Sequence, residues 1–112
     1  MGMKKQILNS LIASSSLLLV SFLYQKTTIL FIILLILSGI LLTMNYSKSI
    51  IKLYFYGFFF GALSEAFAVY MGAWVYTKTD TFLHVPLWLF PLWGIASVFI
   101  TQTHLYFQKK SE

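Results

Sequence analysis

No charged residue interrupts the chain between Lys5 and Lys26, or between Lys26 and Lys48, and both stretches consist largely of Leu, Ile, Val, Phe, Ala and Ser. A hydrocarbon layer about 30 Å thick is crossed by roughly 20 apolar residues rising 1.5 Å each, so runs of this length direct the chain into a membrane. Two further apolar stretches follow, one holding the single acid Glu65 and one opening at Pro86. Lipid offers unpaired backbone groups no partner, so each stretch is expected to be a helix. The spans are placed at 7–24, 28–46, 51–76 and 86–107. The predicted fold is therefore all-α: one polytopic membrane domain over residues 1–112, built as two antiparallel hairpins. Composition agrees, because the chain is 59% hydrophobic and only 10% charged, against about a quarter charged in a soluble domain.

Several function classes are excluded at this point. There is no cysteine, hence no disulfide scaffold, thiolate nucleophile or Cys-based metal site. The formal net charge of +5 comes from lysines scattered between apolar runs, not from a patch of the kind that grips nucleic acid. No phosphate loop or zinc-protease helix motif is present, and without arginine no bidentate phosphate clamp can form. No metal or cofactor is assigned. Span 1 is read as an uncleaved span, since no small-x-small processing site lies near residues 21–25.

Lysines orient the spans, because cytoplasmic flanks collect positive charge. Lys4, Lys5, Lys48, Lys52, Lys109 and Lys110 fall on one side, while Lys26 and Lys78 fall on the other. Both termini are expected in the cytoplasm, in a multi-pass protein of a prokaryotic cytoplasmic (inner) membrane. Pro86 is expected in the first turn of span 4, and Pro91, deeper, is expected to kink it. Trp88 is read as an interface anchor.

Glu65 is the residue with most chemical potential. Counted from Lys52 it lies roughly 20 Å up the helix, near the bilayer middle, where an ionisable side chain is costly and faces protein or water. Gly57, Gly61, Glu65, Ala68, Gly72 and Tyr76 share one stripe of span 3. Gly57, Gly61 and Gly72 are read as helix-packing positions, Gly57 and Gly61 forming a GxxxG pair, with Gly94 their counterpart on span 4. Gly94, Ser97, Thr101, His104 and Gln108 form the matching face of span 4, and Ser97 is expected level with Glu65. Glu65, Tyr76, Trp93, Ser97 and Thr101 are the candidate ligand-binding residues. Glu65 is also the candidate proton donor.

The order Gly61-x-x-x-Glu65, Gly72-x-Trp74-x-Tyr76, Val85-Pro86-Leu87 and Trp93 resembles a stretch of the carotenoid hydratase family, over about residues 61–94. That resemblance implies hydration of a terminal double bond of an acyclic carotenoid, initiated by an intramembrane acid, with Glu65, Trp74, Tyr76, Pro86 and Trp93 as the positions carried over. Those enzymes are roughly twice this length, and the first half here has no counterpart in them. The tail is also similar to small uncharacterised prokaryotic multi-span membrane proteins, the closer likeness.

Three readings follow. One is a binding or transport protein for a lipophilic molecule, working as a homodimer joined through Gly57 and Gly61. Another is a membrane-complex subunit whose small-residue faces dock a partner. The alternative is a lipid- or isoprenoid-active enzyme with Glu65 as general acid. If the carboxyl of Glu65 exchanges protons for an exported lipophile, Glu65→Gln abolishes resistance in an export assay; an unchanged phenotype excludes that role.

Overall fold

The computed structural model describes residues 2–73, 81–82 and 85–111. Among them lie helices α1 (Met3–Leu23), α2 (Thr27–Met44), α3 (Lys48–Tyr70) and α4 (Leu89–Ser111), with strands β1 (Thr81–Phe82) and β2 (Val85–Pro86) between α3 and α4. The chain is a helical bundle 45 × 26 × 22 Å. Helices α1, α2 and α3 are each long and apolar enough to cross a membrane. α4 has the same 23 residues as α3 but is more polar, and it is the helix packed against all three others.

The helix limits differ from the expected spans for identifiable reasons. α3 begins earlier, at Lys48, because Ser47 caps it: its Oγ accepts from the backbone N–H of Ile50 at 3.0 Å. α3 ends at Tyr70 instead of reaching residue 76. Gly72 adopts φ +87°, the Ala73 N–H reaches back to the Ala68 carbonyl at 2.9 Å, and the Gly72 N–H bonds Val69 O at 3.0 Å. This is a Schellman stop, which favours glycine because a Cβ is strained at positive φ. Gly72 is thus a terminator and not a packing residue; nothing lies within 4 Å of where its Cβ would stand. Pro86 sits in β2, paired antiparallel with Thr81, instead of in a helix. Pro91 is the third residue of α4, where a missing N–H removes no intrahelical bond, so the expected cause of a kink is absent.

Each helix buries one stripe. On α2 it is Leu30, Leu34, Ser38 and Leu41, continued by the capping residue Asn45; on α3 it is Ile50, Tyr54, Gly57 and Gly61, the three- and four-residue steps of a helix face. What faces outward is apolar: Leu17, Leu18, Phe22, Ile36, Phe60 and Phe67 are all exposed. An apolar surface of this extent is rare on a soluble monomer. It is the surface a hydrocarbon surrounding accepts.

The interior, conversely, contains amides. Asn9 and Asn45 exchange side-chain hydrogen bonds, Asn45 Nδ2 to Asn9 Oδ1 at 2.8 Å and Asn9 Nδ2 to Asn45 Oδ1 at 3.1 Å, and Gln102 Nε2 donates to the same Asn45 oxygen at 2.7 Å. Gln6 Nε2 donates to Thr103 Oγ1 at 2.8 Å. All four amides are buried. These bonds bring the start of α1, the end of α2 and the last third of α4 to one end of the bundle. At the opposite end Trp88 Nε1–H donates to the Tyr24 carbonyl at 3.2 Å; Trp88 is buried and is a tie between α1 and α4, not an exposed interface anchor. Asn45 is thus the shared partner of α1 and α4 amides. Asn45→Ala leaves Asn9 and Gln102 without their shared partner and is expected to lower stability by about 1–2 kcal/mol, read as a lower thermal unfolding midpoint in mild detergent.

Candidate functional site

The contact between α3 and α4 is set by two glycines. A Cβ on Gly57 would overlap the Ser97 side chain and come within 3.1 Å of the Trp93 carbonyl, and one on Gly61 would overlap the Trp93 indole. A third glycine completes the seam from the other side, since a Cβ on Gly94 would run into the Tyr54 ring. Tyr54 in turn donates from its hydroxyl to Ser38 Oγ on α2 at 2.6 Å. Gly57 and Gly61 are both buried by α4, which leaves neither surface open to a second copy. The expected dimer seam through this GxxxG pair is occupied within the chain.

Glu65 lies one turn beyond Gly61 on the same face. The indole of Trp93 rests over Gly61, and its Nε1–H donates to Glu65 Oε2. An α-helical side chain leans toward its own N-terminus, so in this antiparallel pair Trp93 leans along α3 toward Glu65. The indole N–H is a donor only, and the carboxyl supplies its acceptor. Glu65 is half-buried.

Its position along α3 is off-centre. Only five residues separate Glu65 from the end of α3 at Tyr70, about 7–8 Å of helix, so it stands toward one end of the helix and not at mid-span. Ser97 is not level with it. Ser97 faces Gly57, two turns away along α3, and its hydroxyl donates to the Trp93 carbonyl at 2.9 Å. The level expected for Ser97 took residues 76 and 86 as span ends, whereas α3 ends at Tyr70 and α4 begins at Leu89.

Beside this pair is a cleft of about 400 Å³ between α1, α3 and α4. α1 contributes Ala13, Ser14 and Leu17, α3 contributes Glu65, and α4 contributes Leu89, Leu92, Trp93, Ile95, Ala96, Phe99 and Ile100. Its polar groups are the Glu65 carboxyl, the Ser14 hydroxyl and the Trp93 N–H, the last already engaged. Of the expected ligand-binding residues, Glu65 and Trp93 come together here. Ser97 and the half-buried Thr101 belong to α4 but are not among the lining residues. Tyr76 lies outside the described residues, as do Trp74, Asp80 and His84. Gly94 and Ser97 of the small and polar stripe of α4 face the seam, whereas the cleft uses the adjoining apolar face, where sequence offers no marker to separate a pocket wall from a lipid-facing surface.

No protein-family model, curated protein or solved structure matches this chain, so the likeness over residues 61–94 rests on those residues alone. The seam itself can be tested by two glycines of opposite surroundings. Gly61→Ala pushes the indole off α3 and is expected to cost about 1–3 kcal/mol with an altered tryptophan emission. Gly39→Ala, where nothing lies within 4 Å, is expected to be neutral or to stabilise by up to about 1 kcal/mol. Thermal unfolding in detergent separates the two.

Proposed function

We propose that this chain is a four-span protein of a prokaryotic cytoplasmic membrane, with both termini in the cytoplasm, that binds a lipophilic small molecule in the cleft between α1, α3 and α4. The observation that carries the reading is an apolar cleft with one carboxyl on its wall, held by the Trp93 N–H. Ligand sites are commonly concavities of 300–1,000 Å³, mostly apolar, with few polar groups that fix orientation. A cleft of about 400 Å³ lined this way falls in that class.

Orientation draws on the lysines and the amide bonds together. Gln6 with Thr103, and Asn9 with Asn45 and Gln102, gather the helix ends that carry Lys4, Lys5, Lys48, Lys52, Lys109 and Lys110. Lys26 belongs to the opposite end. This asymmetry supports a cytoplasmic face at the lysine-rich end. α4 serves as the fourth span because its amides are matched by α1 and α2 and its small face by α3, leaving less polarity for lipid to meet.

The enzyme alternative has less behind it, because Glu65 is the one carboxyl among the lining residues and acid–base chemistry needs a second group in reach. The docking-subunit reading loses its proposed surface, since α4 covers the small face of α3. Two measurements test the proposal. Native mass spectrometry from mild detergent is expected to find a discrete bound lipophile on the wild type and none on Glu65→Gln; absence from both excludes the site. For topology, single cysteines introduced at Lys5 or Lys110 should resist a membrane-impermeant maleimide in intact cells, while one at Lys26 should react.

A further inference from the structure

We infer that the lipophile of this cleft carries a carbonyl within its apolar body, and that the Ser14 hydroxyl on α1 donates to that oxygen midway along the wall. The inference rests on reading the cleft as a lipophile site and adds the polar group by which the ligand is chosen.

Serines of a helix in an apolar surrounding can turn their proton back onto the helix itself. Ser10, Ser16 and Ser21 of α1 each donate to the carbonyl four residues back, at 2.9, 2.8 and 3.0 Å, and Ser38 and Thr43 of α2 and Ser97 of α4 do the same. Ser14 and Ser15 make no hydrogen bond among the described residues, and of the two it is Ser14 that lines the cleft. The other polar groups of the wall, the Glu65 carboxyl and the Trp93 N–H, bond each other. Among the described residues, the Ser14 hydroxyl is therefore a donor on the wall that still lacks an acceptor.

Its level follows from the register of α1 on α4. Gln6 donates to Thr103 at one end, and the Tyr24 carbonyl accepts from Trp88 at the other, so the two helices run antiparallel. Ser14 lies eight residues on from Gln6 and Ile95 eight back from Thr103, each about 12 Å of helix. The wall on α4 extends from Leu89 to Ile100, which places Ser14 near its middle. Ala13 and Ala96 share that level, and their small side chains leave room beside the hydroxyl. The mouth is lateral: Leu17 and Ile100 line it and are 61% and 62% exposed on the side of the bundle. A molecule lying along the wall brings its middle, not its end, to Ser14.

A hydroxyl proton can be met by any oxygen, but a proton on that oxygen needs an acceptor too. A ketone or ester carbonyl accepts and brings no donor. An alcohol brings a second donor, and one bond between two hydroxyls leaves one of the protons unmet. A pure hydrocarbon leaves Ser14 itself unmet.

The test uses the full chain in nanodiscs of ether-linked phosphatidylcholine, a lipid with no carbonyl. Binding of radiolabelled dihexyl ketone, its secondary alcohol and tridecane, which share one chain length, is followed by scintillation proximity against empty nanodiscs. The ketone is expected to half-saturate at a concentration about threefold to tenfold below the other two, the scale of one neutral hydrogen bond, and its infrared carbonyl band is expected to move to lower frequency on binding. Ser14→Ala removes no hydrogen bond within the described residues; it is expected to keep the thermal transition and tridecane binding while erasing the preference and the band shift. Equal half-saturation by all three probes, or a preference for the alcohol, with binding lost in Ala96→Phe, overturns the carbonyl inference and leaves the cleft as a lipophile site. A ketone preference that survives Ser14→Ala overturns the role of Ser14. No saturable binding of any probe, or binding untouched by Ala96→Phe, overturns the site along with the inference.

Discussion

The indole of Trp93 lying on Gly61 is the contact from which the rest of this bundle is arranged. Hydrocarbon gives helices no hydrophobic reason to associate, so approach distance and interhelical hydrogen bonds decide the packing. Gly61 lets the ring sit directly on the α3 backbone, and one turn on Glu65 accepts its N–H. Gly57 repeats the same close approach against Ser97, and Gly94 opens α4 to the Tyr54 ring. Because these contacts share one antiparallel register, sliding either helix by a turn would place a large side chain against a backbone and strand the indole donor.

Once α4 is held on α3, it becomes the shared neighbour of α1 and α2. Its amide Gln102 and hydroxyl Thr103 then meet Asn45 and Gln6. The bundle holds buried amides beside an apolar core and turns further leucine, isoleucine and phenylalanine outward, an outer surface unlike that expected in water. The polarity of α4 follows from this position: a helix surrounded by three others can carry amides and a carboxyl partner that a lipid-facing helix could not.

Packing and the cleft share a residue. Trp93 is part of the seam with α3 through Gly61 and part of the cleft wall through its contact with Glu65. A molecule lodged beside Glu65 would press on the indole that holds α3 and α4 together. Occupancy of the proposed site would therefore be physically linked to helix packing.

The sequence by itself determined that this chain is helical and apolar enough for a membrane, that α3 and α4 pair through small residues, and that Glu65 is its unusual side chain. Uncharged runs, the four-residue step from Gly57 to Gly61, and a lone acid one further step on at Glu65 are local signals and need no partner to be read. Helix limits were less legible, because a stop at Gly72 depends on a positive φ and two backbone bonds, and hydropathy runs on past it through Ala73, Trp74 and Val75. That error set Ser97 level with Glu65, whereas Ser97 faces Gly57. Only the tertiary structure decided that Trp93 reaches Glu65, that Asn9, Asn45 and Gln102 meet, and that the wall beside Glu65 is open. Each of those depends on which helices are neighbours and in what register, and an amide, an indole or an apolar face has the same sequence signature whether it meets lipid or another helix.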